Sequence, residues 1–286
     1  MRIIAPILFV IFAPFIGGLL SGADRRISAR MQGRHGPPLI QPFYDVAKLF
    51  QKEGTLVSKY QNFYVICFFI FVLLTGIIFF AGGNILLAIF ALTVADIFFV
   101  IGGYSSRSPY SMMGAERELI QMMSFEPMIL LTAIGFYKVS SSFFTADILA
   151  SPKPLILYLP LIFVGFLYVL IIKLRKSPFD LSTSHHAHQE LVKGITTEFT
   201  GKTLALVEIA HWYENVYILG FVYLFFAFAI PVSPLIGIAA CLAVYFLEIL
   251  IDNSFARVKW QMTLGSAWAV TIVLAAINLI VLYSLK

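Results

Sequence analysis

Residues 173–202, KLRKSPFDLSTSHHAHQELVKGITTEFTGK, gather Asp180, Glu190 and Glu198 with His185, His186 and His188 in one hydrophilic stretch. Carboxylates and imidazoles side by side can pass protons, hold a cation or meet a partner. Three imidazoles are also a zinc ligand set. Adjacent His residues diverge on a helix, however, and nothing here resembles HExxH, so a pH-responsive or partner-contacting loop is expected and no metal is assigned. Elsewhere the acids lie inside apolar sequence: Asp96, Glu126, the series Glu208, His211 and Glu214 at i, i+3 and i+6, and the pair Glu248 and Asp252 at i and i+4. Glu116 and Glu118 stand just ahead of Glu126.

The elements that carry these residues are membrane spans. The chain has 286 residues, 60% hydrophobic and 12% charged, with a mean hydropathy of +0.90. That composition excludes a soluble domain. The net charge of +5 follows membrane topology and implies no nucleic-acid partner, because the basic residues sit between apolar runs. Cys67 and Cys241 lie singly in apolar sequence, so no iron–sulfur centre or haem is expected on this chain. There is no nucleotide-binding fingerprint and no nucleophile elbow. The N-terminal run lacks a cleavage site and reads as a retained helix.

Windows of about twenty apolar residues fall near 3–22, 62–81, 84–104, 118–138, 155–173, 211–230, 233–251 and 264–284. The expected fold is therefore an all-α polytopic membrane protein of about eight transmembrane helices, one integral membrane domain over 1–286. Its loops on one side cover about 23–61, 105–117, 174–210 and 252–263. Those loops, with Lys173 at the edge of the third, hold sixteen of the twenty Lys and Arg, which makes them cytoplasmic and puts both termini outside the cell membrane. In the first loop Gly33, Gly36, Pro37 and Pro38 break any helix. Phe43, Val46, Ala47, Leu49 and Phe50 then follow helical spacing, an interfacial amphipathic helix. Arg25, Arg26, Arg30 and Arg34 beside it suit either anionic lipid headgroups or a docked partner.

A carboxylate inside a span is costly unless it faces water or a bundle interior. Asp96 lies about 12 Å from the cytoplasmic end of its span, as a hydrogen-bonded structural acid or part of a path. Glu126 precedes Pro127, which removes a backbone bond and frees the Met123 carbonyl for water or a side chain. Acids in four spans suggest a shared hydrated route through Asp96, Glu116, Glu118, Glu126, Asp180, Glu190, Glu198, Glu208, Glu214 and Glu248. Spans 1, 2, 5 and 8 carry no mid-membrane acid and read as lipid-facing or packing surface.

These motifs resemble a known family. ADRRISARMQGRHGPPLIQPFYDVAKLF is similar to the first loop of NADH dehydrogenase subunit 1, a membrane component of respiratory complex I. PFDL at 178–181, QELVKGITTEFTGK at 189–202 and Asn253-Ser254-Phe255-Ala256-Arg257 extend the likeness across the chain. Where the quinone-reducing members have an acidic run after PFDL, this chain has STSHHAH. That string resembles the homologous membrane component of energy-converting nickel–iron hydrogenases and, less closely, that of formate hydrogenlyase. The resemblance implies a non-catalytic membrane anchor that moves ions. Its partners would be hydrogenase large and small subunits, a ferredoxin-like cluster subunit and an antiporter-like membrane subunit. The nickel–iron centre and iron–sulfur clusters would lie in those partners, not in this chain. The loop carboxylates carry over onto Asp180, Glu190 and Glu198, and His185, His186 and His188 join the docking surface.

Overall fold

A computed structural model describes residues 4–54, 58, 60–179 and 194–284. Eleven α-helices are named in chain order: α1 (Ile4–Met31), α2 (Gln41–Gln51), α3 (Gln61–Phe80), α4 (Ile85–Tyr104), α5 (Pro109–Ser140), α6 (Thr145–Leu149), α7 (Pro160–Lys173), α8 (Gly201–Phe226), α9 (Ser233–Ser254), α10 (Trp260–Val270) and α11 (Ala276–Ser284). A π turn at Thr271–Ala275 joins α10 to α11 as one rod. Among the described residues, six helices are long and apolar enough to cross a membrane: α1, α3, α4, α5, α9 and the α10–α11 rod. α7 is apolar but spans only 14 residues, about 21 Å at 1.5 Å per residue. The 26 residues of α8 have ample length, although His211, Glu214 and Asn215 dilute its apolar character. These eight elements fall on the eight expected windows.

The helices run further into the loops than the windows do. α1 continues through the basic run to Met31, α5 starts at Pro109 and α8 starts at Gly201. Charged residues favour helix when neighbouring elements satisfy them, so apolar windows underestimate helix length. The chain does break across RHGPP, with Gly33 at φ +71°. α2 follows as expected, with Val46 buried beside Ala205 and Trp212 of α8 and with Phe43 and Leu49 against the same cluster. Phe50 is exposed instead. At the other end Gly82, at φ +81°, turns the α3–α4 hairpin. Asn84 then caps α4 by accepting from the Leu86 N–H at 2.9 Å.

In lipid there is no hydrophobic force between helices, so interdigitation holds the bundle together. Its centre is aromatic: Phe68, Phe99, Phe136, Phe166, Phe221 and Phe225 are essentially sealed. Phe68 stacks on Phe99 at 5.0 Å and Phe136 meets Phe225 edge-on at 4.8 Å. Outward positions such as Leu235 and Ile280 are apolar and exposed, a surface suited to lipid. Two glycines permit close approaches. A Cβ on Gly22 would fall 1.9 Å from the Leu39 carbonyl oxygen, and one on Gly114 would fall 2.1 Å from the Ile195 nitrogen.

Candidate functional site

α7 ends in Lys173, and the chain reverses at once. Arg175 adopts φ +51°, a left-handed conformation that costs a non-glycine residue about 1–2 kcal/mol. Lys176 and Ser177 stay buried, so the turn carries Lys173, Arg175 and Lys176 into the bundle. The sequence reading takes these three as topology signals in a solvated loop. Here they are instead the cations of two internal networks, because carboxylates on five other helices meet them.

In the first network Lys173 Nζ lies 2.6 Å from Asp96 Oδ2 on α4 and 3.3 Å from Glu214 Oε1 on α8. These side chains are 4%, 0% and 4% exposed, deep enough that each charge depends on its partners. The second oxygen of Glu214 faces His211 Nδ1 at 2.9 Å and Arg175 Nη1 at 3.9 Å. Arg175 also grips Glu118 of α5 with two prongs, Nη2 to Oε1 at 2.5 Å and Nε to Oε2 at 3.2 Å. That bidentate bond holds the strained turn. Phe99 lies 5.5 Å below the guanidinium and Phe125 4.6 Å from Lys173 Nζ, while Phe68 and Phe99 wall His211 edge-on.

The result is an unbroken chain from Asp96 through Lys173, Glu214, His211 and Arg175 to Glu118. Three carboxylates face two permanent cations and one imidazole. The carboxylates outnumber the fixed cations by one, and the imidazole lies within hydrogen-bond distance of both Glu214 and Arg175. Asp96 Oδ1 and the Tyr217 hydroxyl, one turn beyond Glu214 on α8, have no hydrogen-bond partner among the described residues.

The second network lies where α1 and α9 end. Lys176 Nζ is 2.5 Å from Asp24 Oδ2 and 3.9 Å from Asp252 Oδ2. Asp252 Oδ1 accepts from the Ser177 N–H at 2.8 Å. One turn inward, Glu248 is fully buried and neither of its carboxylate oxygens has a partner among the described residues.

Among the acids singled out from sequence, Asp96, Glu118 and Glu214 therefore meet, and Glu248 lies with the second network. Glu126 is half-buried on α5, with its Oε1 enclosed and unpartnered. Glu198 and Glu208 are half-buried outside the first network and Glu116 is exposed. Asp180, Glu190, His185, His186 and His188 lie outside the described residues. Arg26, Arg30 and Arg34 are exposed with Arg25, which pairs with Asp45 at 2.6 Å. The Met123 carbonyl freed by Pro127 accepts from Trp268 Nε1 at 3.0 Å, the side-chain partner expected for it. What the sequence reading missed was the cations. The one signal for them was KLRK directly abutting an apolar span, with no neighbouring acid to balance it.

Comparison with known proteins gives this arrangement a context. The family model described as NADH dehydrogenase matches residues 3–283. A membrane component of the NADH-quinone oxidoreductase of Geobacillus kaustophilus is 30% identical over 309 aligned positions, covering 96% of this chain and 90% of the relative. Hydrogenase-4 component C of Escherichia coli is 26% identical over 277 positions, 87% of this chain and 86% of that one. A chain in the solved structure of the membrane-bound sulfane sulfur reductase, an archaeal respiratory membrane complex, superposes with a TM-score of 0.87 at 24% identity. The match covers 98% of this chain and 99% of that chain, a likeness of fold.

Proposed function

The chain belongs to the NADH dehydrogenase family of membrane subunits, and from that premise we propose that it anchors an energy-converting nickel–iron hydrogenase and carries its ion movement. The chain is a membrane subunit of a complex I-like or hydrogenase-related respiratory complex. Two features support the hydrogenase reading, the HHAHQELVKG string in place of an acidic run and the likeness to hydrogenase-4 component C.

The observation that carries ion coupling is the buried network from Asp96 to Glu118. It hangs on the turn at Lys173–Ser177, which continues directly into the long loop proposed to dock the redox subunits. Charge arriving at that face changes the potential felt by Lys173 and Arg175, which sit in a low-dielectric bundle where such a change is strongly felt. His211 stands between Glu214 and Arg175, 2.9 Å from the carboxylate and 3.0 Å from the guanidinium, and links the two ends of the network. The iron–sulfur clusters and nickel–iron centre belong to partner subunits, the basic loops face the cytoplasm and both termini lie outside.

The test is to isolate the complex through a tag on this chain, identify its subunits by mass spectrometry and assay it in sealed vesicles. Hydrogenase subunits and hydrogen evolution from reduced ferredoxin, with ion uptake, are expected. The family's quinone oxidoreductase members, at 30% identity, supply a second reading. A complex without hydrogenase subunits, whose turnover responds to added quinone, would establish that reading instead.

A further inference from the structure

The inner face of the last rod differs from the rest of the bundle. Thr263, Ala267, Thr271, Ala275 and Asn278 are all buried and recur at helical spacing, a stripe of small and polar side chains where the sequence reading expected lipid-facing or packing surface. Hydroxyls in apolar helices ordinarily donate to the carbonyl four residues back. Thr75, Thr93, Ser124 and Thr132 do so. Thr263 and Thr271 do not: at 0% and 2% exposure their Oγ1 atoms have no partner among the described residues. Leaving a hydroxyl dry and unpaired is destabilising.

A third unpartnered group lies on the neighbouring helix α5. α5 and α10 both start at the basic end and run in the same direction, pinned together where Trp268 Nε1 donates to the Met123 carbonyl at 3.0 Å. Three residues further along each helix come Glu126 and Thr271. Glu126 Oε1 is enclosed and unpartnered like the Thr271 hydroxyl. Both helices lose regular backbone bonding here, α5 because Pro127 has no N–H to donate and the rod because a π turn starts at Thr271. Beyond them Asn278 spends its side chain on α7, accepting from the Leu161 and Ile162 N–H groups and donating to the Tyr158 carbonyl. Unsatisfied polar groups thus run inward from Thr263 to Glu126 and stop at Asn278.

We propose that the seam between α5 and α10 is a hydrated half-channel, from Thr263 at the basic end to Thr271, giving water and protons access to Glu126. Eight residues of helix separate the two threonines, about 12 Å. The route is separate from the network around Lys173 and does not depend on which redox subunits bind.

Single cysteines in the intact complex test it, in membrane vesicles and on a background of Cys67→Ala and Cys241→Ala. Thr271→Cys is compared with Ile272→Cys, its outward-facing neighbour at 58% exposure, by the rate of modification with a charged methanethiosulfonate. Only a hydrated thiol ionises and reacts, so Thr271→Cys is expected to react at least ~10-fold faster than Ile272→Cys, with Thr263→Cys faster still. Thr271→Cys as inert as Ile272→Cys overturns the half-channel, whether or not Thr263→Cys reacts. This readout is chemical access, so it stands or falls apart from the hydrogenase assignment.

Discussion

Lys173 Nζ and Asp96 Oδ2 meet at 2.6 Å although 77 residues separate them in sequence. The pair ties α7 to α4 in a region where the exposures of both side chains are 4% or less. Removing Lys173 alone leaves the Asp96 charge buried without a cation, whereas removing both leaves an apolar contact beside Glu214, which His211 and Arg175 still hold. Lys173→Met is therefore expected to destabilise the detergent-solubilised protein by about 3–5 kcal/mol. Adding Asp96→Leu should restore much of that loss. Thermal unfolding of the single and double variants measures it, and equal damage in both would mean the pair does not act as a unit.

Arg175 holds Glu118 by two prongs, which a lysine cannot reproduce. Arg175→Lys is expected to cost about 1.5–3 kcal/mol and to loosen the turn at Lys173–Ser177. Limited proteolysis after residue 173 should speed up relative to the wild-type chain.

Gly114 receives the backbone of Ile195 so closely that a Cβ would come within 2.1 Å of its nitrogen. Ser111 Oγ also donates to the Ile195 carbonyl, at 3.1 Å. Gly114→Val should displace this end of the long loop at a cost of about 1–3 kcal/mol, and co-purification of the redox partners should drop while the tagged chain still inserts.

Arg25 and Asp45 provide a contrast at the surface. Burial pushes the Asp45 carboxyl up, but hydrogen bonds from Arg25 and Gln41 outweigh it and hold the group below its ordinary value. The linked stability is present above the unfolded pKa of about 3.9 and is lost as pH falls through the lowered folded value. Because both side chains are more than a third exposed, screening keeps the pair to about 0–1 kcal/mol. Asp45→Asn should leave the melting temperature at pH 7 nearly unchanged.

The apolar windows located the eight membrane elements because lipid imposes length and composition directly. The acids were legible as well, since a carboxylate in such sequence stands out by itself. Their grouping was not. Lys173, Arg175 and Lys176 look like any basic loop until α4, α5, α8, α1 and α9 bring Asp96, Glu118, Glu214, Asp24 and Asp252 to them. Thr263, Thr271 and Asn278 carry no charge, so their spacing passed as packing. Only the direction of their hydroxyls and of the Asn278 amide separates a polar seam from a greasy one, and that direction depends on neighbours far away in sequence.

The most direct measurement is the number of ions moved per hydrogen evolved by the reconstituted complex carrying Glu214→Gln. This substitution keeps the shape of the network but removes the charge between Lys173, His211 and Arg175. Redox turnover should persist while ion uptake per turnover falls at least ~10-fold. An unchanged ratio in a correctly assembled complex would contradict the role given to these buried charges.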